Sequence, residues 1–305
     1  MTHMVHQHQH GTIHRAFAIG IFLNLAFVVV EGAYGWSVNS LALLADAGHN
    51  LSDVAGLILA WGATLVSGLT PNARHTYGWR RGTILAAFAN SVLLLVAMGS
   101  LGWEAIGRLT TPETTEWPSV MVVATVGILV NTATALLFMR GDQHDLNTHG
   151  AFLHMAADAL VSLGVVVAGI LAMTFGWSWI DPLVSLLIAV VIVIGTWKLF
   201  RQSLHLLFDG VPDQIDLAAV HRYLAQMPGV DRVHDLHIWA MGTSEIALTA
   251  HLVMSSGHPN DSFFRSATHD LHDLFEIEHV TIQVVSEPFT ESCLGDELKT
   301  FETQI

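Results

Sequence analysis

Long apolar runs that carry almost no charge constrain the fold of this 305-residue chain more than any other feature. The six runs are residues 16–38, 41–67, 83–103, 117–139, 159–180 and 183–197. The third, fourth and fifth reach the roughly 20 residues that a helix needs to cross a bilayer. Only 12% of the residues are charged, against roughly 25% in a soluble globular domain. The sequence therefore predicts an α-helical membrane protein with six transmembrane helices.

Basic residues fall on one side of these six runs. Six of them lie on the side of both termini: Arg74, Arg80, Arg81, Arg140, Lys198 and Arg201. The loops on the other side carry Arg108 alone. Because cytoplasmic loops are enriched in Lys and Arg, both termini are predicted to be cytoplasmic. The N-terminal stretch is polar and histidine-rich, unlike a secretory signal, so the first run is expected to remain in the protein.

The chain changes character after the last apolar run. Residues 209–305 hold 16 acidic and 4 basic residues, a net charge of −12, which makes this part a poor partner for nucleic acid. Apolar periodicity predicts helix, strand, strand, helix and strand, in that order, at residues 216–227, 233–241, 246–254, 263–275 and 280–285. We therefore expect a histidine-rich tail at 1–14, a transmembrane domain at 15–205, a small α+β domain at 209–290 and a flexible tail at 291–305.

Two His-x-x-x-Asp pairs lie inside the apolar runs, His49 with Asp53 and His154 with Asp158. Residues four apart share one helix face, so each pair projects together. A carboxylate at membrane depth is costly unless it meets a cavity, a partner or an ion. Two imidazoles and two carboxylates suit zinc, with cobalt and cadmium also acceptable. The alternative is that the pairs hydrogen-bond between helices without any ion.

Other polar groups in the runs carry a weaker signal. Asp46 lies three residues before His49, where it could support the site or simply make a structural contact. Hydrogen bonding between helices explains the others equally well, namely Asn24, Glu31, Asn90, Glu104 and Asn131. The single cysteine, Cys293, excludes an internal disulfide and a thiolate-only metal site within one chain.

Five segments resemble the cation diffusion facilitator family, and together they extend over essentially the whole chain. They are SLALLADAGHNLSD at 40–53, HTYGWRR at 75–81, GAFLHMAADAL at 150–160, IDPLVS at 180–185 and DGVP at 209–212. The resemblance implies that His49, Asp53, His154 and Asp158 form the transport site of a zinc-type member. It also implies a ferredoxin-like cytoplasmic domain, a homodimer and proton-coupled export of zinc across the plasma membrane, as in a bacterial inner membrane.

Two other classes of protein are alternatives to a transporter. An intramembrane metalloenzyme needs an activated water and a general base, as in His-Glu-x-x-His, and no such motif occurs in the runs. A metal sensor would not need ligands inside six spans. The sequence therefore predicts a carrier rather than an enzyme, with the metal as its cargo and no separate cofactor.

Histidines outside the membrane pairs suggest secondary metal binding. His3, His6, His8, His10 and His14 could concentrate zinc, or bind it loosely without serving transport. His144 and His149 precede the fifth run in a polar loop. In the soluble domain His234 and His251 resemble cytoplasmic ligands of some relatives, but Val285 stands where an acidic ligand is expected. His237, His269, His272 or Glu287 could substitute; the alternative is that these are ordinary surface histidines of a small sheet domain that bind no metal. His75 lies in a loop where Trp79 replaces another histidine of some relatives, which makes a loop site doubtful.

Overall fold

The computed structural model describes residues 9–67, 70–111, 113–139, 146–255 and 257–286. Side chains are described for most of these residues, but not for residues 9–21, 23, 56, 57, 59–61, 63–67, 137–139 and 146–154. Two compact units are present. One holds the described residues up to 59 together with 89–200, and the other holds 60–88 together with those from 201 onward.

Six long helices account for the apolar runs. They are α1 (Gln9–Ser37), α2 (Leu41–Ser67), α3 (Gly82–Thr110), α4 (Trp117–Met139), α5 (Leu146–Phe175) and α6 (Ile180–Leu207). The shortest has 23 residues, about 35 Å at 1.5 Å per residue, which exceeds the roughly 30 Å hydrocarbon core of a bilayer.

Four of these helices, α3 to α6, are long and apolar enough to cross a membrane, judged on the described residues. Large apolar side chains on them point outward: Leu93, Val122 and Leu187 are 66%, 65% and 66% exposed. Such exposure suits a lipid environment, because lipid rather than water then meets the apolar surface. The protein is therefore helical and membrane-embedded. Helices α1 and α2 coincide with the first two predicted runs.

Helix ends differ from the predicted runs for local reasons. The sixth run was predicted from residue 183, but α6 begins at Ile180, because a proline in the first turn, here Pro182, loses no helical hydrogen bond. The fifth run was predicted to reach residue 180, but α5 ends at Phe175, where Gly176 takes a positive φ of 69°. Helix α1 begins at Gln9, seven residues before the first predicted run, and the domain boundary after residue 14 stays a prediction.

Small residues bring the helices of the first unit close together. A Cβ on Gly127 of α4 would lie 2.7 Å from the Phe27 ring of α1 and 3.1 Å from Ser162 Oγ of α5. Val120 of α4 and Val165 of α5 belong to the same buried core. Small residues permit this approach, which is how helices gain dispersion contacts in membranes. The packing places α5 against α4 in the interior of the unit.

The second unit contains a small mixed sheet. Helix α7 (Leu217–Ala225) is followed by β1 (Arg232–Ala240), β2 (Ile246–Val253), α8 (Asp261–Phe275) and β3 (His279–Val285). The sheet order is β1-β2-β3, with β1 antiparallel to β2 and β2 parallel to β3. Helix α8 is the crossover that a parallel pair requires. The element order is the one predicted, with ends that differ by one or two residues.

The sheet and its helices bury a core of their own. Val220 of α7, Leu248 and Leu252 of β2, and Leu271 of α8 are each at most 1% exposed. Asp216 caps α7 by accepting hydrogen bonds from the amides of residues 218 and 219, so the helix predicted from 216 begins one residue later. This core holds β1 and β2, the strands that carry His234 and His251, in a fixed register.

Candidate metal centre

Three of the four predicted membrane ligands lie together. His49 Nε2 lies 3.6 Å from Asp53 Oδ2, one turn along α2, and 3.6 Å from Asp158 Oδ1 on α5. His154 lies on α5 one turn before Asp158, but its side chain is outside the part that the structure describes. The arrangement puts one imidazole nitrogen between two carboxylates from different helices.

The separations within this cluster match those of a zinc shell. Zinc holds nitrogen and oxygen ligands at about 2.0–2.2 Å in a tetrahedron, so neighbouring ligand atoms lie roughly 3.3–3.6 Å apart. Both observed separations are 3.6 Å. Within the described residues, however, no group of three or more His, Cys, Asp and Glu side chains is arranged so that it could hold an ion. The donor set fits zinc by chemistry and by pairwise spacing.

The three side chains differ in burial. Asp158 is 4% exposed, whereas His49 and Asp53 are 24% and 35% exposed. The α5 carboxylate therefore lies in the interior, and the α2 pair lies on its more open side.

A second polar layer lies beside the cluster. Ser162 Oγ of α5 donates to Asp46 Oδ2 at 3.3 Å, and Asn50 Nδ2 of α2 donates to Glu31 Oε2 of α1 at 3.4 Å. Asp46 and Glu31 are 2% and 0% exposed. Asp46 therefore makes the structural contact that was one of its two predicted roles. Sequence reasoning overlooked Ser162, although it stands one turn after Asp158 on the same face.

Three of the remaining polar groups of the runs also find partners, whereas both polar side-chain atoms of the buried Asn131 have no hydrogen-bond partner among the described residues. Asn24 Nδ2 contacts Met155 Sδ at 3.6 Å, and Ser52 Oγ donates to Asn90 at 3.4 Å. Glu104 accepts from Arg108 at 3.0 Å, four residues along α3. These contacts fit the alternative of helix-to-helix and local hydrogen bonding, so none of these residues is assigned a ligand role.

The predicted cytoplasmic pair forms a histidine cluster on the sheet. His234 of β1 pairs directly with His251 of β2, and their ring centroids are 5.2 Å apart. His234 Nε2 and His251 Nδ1 are buried, and neither has a hydrogen-bond partner among the described residues. Burial, with smaller contributions from His251 and Arg232, lowers the pKa of His234 below its usual value. A lowered pKa favours the neutral imidazole, which is the form of histidine that can bind a metal ion.

Asp235 completes this cluster and was missed from sequence. It lies at an irregularity in the β1–β2 register with a φ of 53°. Its Oδ2 lies 3.5 Å from His251 Nε2, and its Oδ1 lies 2.9 Å from His237 Nε2. The bulge turns the Asp235 side chain toward the histidines. Strict strand alternation would place this side chain on the opposite face of the sheet. The spacing of His and Asp residues in the sequence alone did not indicate that Asp235 would meet these histidines.

The other predicted substitutes lie apart from this cluster. His269 and His272 of α8 pair with Asp273 at 3.4 and 2.8 Å. Val285 is buried at the end of β3, and Glu287 lies outside the described residues. Among the described substitutes, His237 is the one with a contact to Asp235, the residue that also lies beside His251.

The remaining histidine predictions gain little from the structure. In the loop before α3, the His75 ring packs against Trp79 at 4.0 Å between centroids, as a structural contact would. The residues of two other predictions, the N-terminal histidines and the pair predicted in the loop before the fifth run, lie outside the described side chains: His3, His6, His8, His10, His14, His144 and His149. The backbone of His149 lies within α5 rather than in a loop. The fold and the His/Asp cluster between α2 and α5 define the class, a multi-pass membrane protein with a polar site inside its helices.

Comparison with known proteins identifies the family within that class. A model of the cation efflux transmembrane domain matches residues 17–208, and one of the cation efflux protein cytoplasmic domain matches residues 212–287. The chain belongs to the cation efflux, or cation diffusion facilitator, family, whose members are metal transporters.

Relatives match over nearly their full length. The zinc transporter ZitB of Escherichia coli K12 is 35% identical, with 93% of this chain and 94% of the relative covered. The cadmium, cobalt and zinc/H(+)-K(+) antiporter of Bacillus subtilis is 33% identical, with 93% of each covered. The metal cation efflux system protein CzcD of Cupriavidus metallidurans is 35% identical, with 91% and 89% covered. A solved structure of the metal-bound C-terminal domain of CzcD is 39% identical, covers 23% of this chain and 99% of its own, and has a TM-score of 0.22.

Proposed function

We propose that this protein exports zinc from the cytoplasm in exchange for protons, with cadmium and cobalt as further substrates. The ion binds His49, Asp53, His154 and Asp158 between α2 and α5. The observation that carries the proposal is the placement of His49 Nε2 at 3.6 Å from both carboxylates, the spacing of a zinc shell. The names of the relatives that this chain resembles support the choice of metals.

The topology that we propose for this transporter is six spans with both termini in the cytoplasm of a bacterial cell. Helices α1 and α2, of 29 and 27 residues, are long enough to add two spans to the other four. Arg108, the base that lies on the outer side, is bound by Glu104 at 3.0 Å and by Asn39 Oδ1 at 2.9 Å. Its charge is therefore locally compensated, and the remaining basic residues favour cytoplasmic termini.

Proton coupling follows from the donor set. An imidazole binds zinc only when neutral, so each proton taken up by a ligand histidine displaces metal. Histidine changes charge near physiological pH, so the two sides of a membrane at different pH would load the site differently. Alternating access then needs only that α2 and α5 move relative to each other, since the ligands are divided between them.

The sheet domain is proposed to be a ferredoxin-like cytoplasmic dimerisation domain with a regulatory metal site. Two buried imidazole nitrogens without partners, on His234 and His251, support such a site, because buried polar atoms are costly unless satisfied. Asp235 would replace the acidic ligand absent at Val285. Homodimerisation is supported by the match to the family's cytoplasmic domain.

Zinc flux in proteoliposomes tests the transport proposal. Asp53→Ala and Asp158→Ala should each abolish flux while the purified protein remains a folded dimer. The matched control is Glu104→Ala, which removes a carboxylate from α3 that is 52% exposed and paired with Arg108. Native flux in both aspartate variants would refute the site.

A further inference from the structure

A buried carboxylate from α6 holds the first turn of α2, the helix that carries His49 and Asp53. Asp181 Oδ1 accepts from Ser40 Oγ at 2.6 Å, and its Oδ2 accepts from the Leu41 amide at 3.0 Å. The Ala42 amide also donates to this carboxylate. Asp181, which is 140 residues from Leu41 in the sequence, therefore caps α2 in place of a local capping residue.

The other free amides at this helix start are satisfied locally. The Ser40 amide donates to Gly35 O at 2.9 Å, and the Leu43 amide donates to Ser40 Oγ at 3.3 Å. A helix leaves four N-terminal amides without intrahelical partners. Here the local chain supplies two acceptors, and Asp181 supplies the other two, so the cap of α2 is complete only with α6 in place.

Burial makes this attachment strong. Asp181 and Ser40 are both 0% exposed, and Leu41 is 2% exposed, so water does not replace a lost hydrogen bond. Bonds from amides to a carboxylate are charge-assisted, and the positive end of the helix dipole favours an anion there. Breaking the contact would leave a buried charge and two buried amides unpaired, which is costly.

A second attachment ties the residue before this cap to α3. Arg108 donates to Asn39 O and to Asn39 Oδ1, both at 2.9 Å. Asn39 has a φ of 57°, a left-handed conformation that the two bonds support. The start of α2 is therefore held from α3 as well as from α6.

We propose that Asp181 is a positioning residue for metal transport, and that it fixes the height and rotation of α2 so that its ligands meet those of α5. This inference rests on the proposed transport function. His49 and Asp53 follow Leu41 by 8 and 12 residues, about 12 and 18 Å along the axis at 1.5 Å per residue. Sliding or turning α2 breaks the Asp181 bonds, whereas tilting of its distant end does not. The ligand pair thus pivots about the capped end.

The test compares Asp181→Ala and Asp181→Asn with Ser185→Ala in the full-length dimer. Ser185 is a matched control because its buried hydroxyl donates to the Asp181 carbonyl oxygen at 2.7 Å, and its removal leaves the carboxylate in place. Zinc and cadmium fluxes are measured in proteoliposomes, and the ratio of their kcat/KM values is the main readout. This ratio does not depend on how much protein is active, so loss of stability alone would not change it.

Misplaced ligands should alter both affinity and selectivity. We expect both Asp181 variants to raise the zinc KM and to change the zinc-to-cadmium ratio by at least about threefold, with Asp181→Ala the larger effect and Ser185→Ala near the unaltered protein. If Asp181→Ala does not fold, Asp181→Asn decides. An unchanged ratio and KM in the folded variant, with only a lower melting temperature, would show a structural cap and overturn the inference.

Hydrogen exchange separates this inference from the transport proposal. Amides of residues 41–43 should exchange faster in the Asp181 variants, and unchanged exchange there would overturn the capping role itself. If the unaltered protein moves no zinc, transport fails as a function, and the positioning role for transport fails with it. Native zinc kinetics in both Asp181 variants would instead remove the inference and leave transport standing.

Discussion

His49 of α2 and Asp158 of α5 approach to 3.6 Å across the interior of the first unit, although 109 residues separate them in the chain. Asp158 is 4% exposed and His49 is 24% exposed, so the contact joins a buried carboxylate to a more open imidazole. Because the site residues differ in exposure, substitutions of them are expected to have different effects on zinc binding and stability.

Removal of the buried charge should weaken zinc binding and stabilise the metal-free protein. Asp158→Asn keeps the shape of the side chain but removes a carboxylate that is costly to bury without its ion. We expect lower zinc affinity by calorimetry together with a higher melting temperature without metal. Asp53→Asn, at a side chain that is 35% exposed, should lower affinity with a smaller change in melting temperature. A lower melting temperature for metal-free Asp158→Asn would contradict this account.

Replacement of the central imidazole should change which ion is preferred. His49→Asp leaves a site richer in oxygen, which favours harder ions such as manganese over zinc. We expect partial flux and a lower zinc-to-manganese ratio in proteoliposomes. His75→Asp is the control, since His75 packs on Trp79 in the loop before α3. The same change of ratio in the control would indicate an effect unrelated to the site.

The fold could be predicted from apolar runs and periodicity because both report burial directly. Lipid-facing residues such as Leu93 and alternating strand residues such as those of β3 follow simple periods. Contacts between distant residues could not be predicted in the same way. In the sequence, Asp181 is a polar residue before a proline, and no neighbouring residue indicates that its partner is the start of α2. The positions of Ser162 and Asn50 likewise depend on how the helices pack.

The candidate site residues could be predicted where a sequence pattern repeats. They could not be predicted where the backbone is irregular. His49 and Asp53 share a helix face because they are four apart, and their repeat at residues 154 and 158 drew attention to both. Asp235 breaks the alternation of β1, since its φ of 53° lies outside the strand region. A bulge of this kind leaves no clear pattern in the sequence.

Asp235 should contribute to metal binding by the sheet domain. The background is full-length protein with Asp53→Ala and Asp158→Ala, in which remaining zinc binding is followed by calorimetry. We expect Asp235→Ala to weaken that binding by about tenfold or more, the usual cost of losing a group at a metal site. Asp273→Ala is a matched control, because Asp273 also lies beside two histidines, at 3.4 and 2.8 Å, but on the exposed face of α8. Equal effects of both changes would contradict the assignment.

His234 should make the sheet domain less stable in acid. Its pKa is lowered in the folded domain, so the unfolded chain binds a proton at higher pH, near the ordinary histidine value of about 6.5. The stability it contributes is fully present above that value and is lost as pH falls through the folded pKa. Hydrogen exchange of β1 and β2 amides, corrected for intrinsic rates, should show this loss, and His234→Gln should reduce it. An unaltered pH dependence in that variant would remove His234 as the cause.

The central claim is that zinc and protons exclude each other at one membrane site and therefore move in opposite directions. The most direct measurement records zinc and proton movement together in proteoliposomes, with and without an imposed pH gradient, for the unaltered protein and for Asp158→Ala. We predict that a compartment made acidic draws zinc in as protons leave it, that flux falls when both sides are acidified through the histidine range, and that Asp158→Ala abolishes both movements. Zinc flux that ignores the gradient and moves no protons would contradict antiport and leave a facilitated carrier.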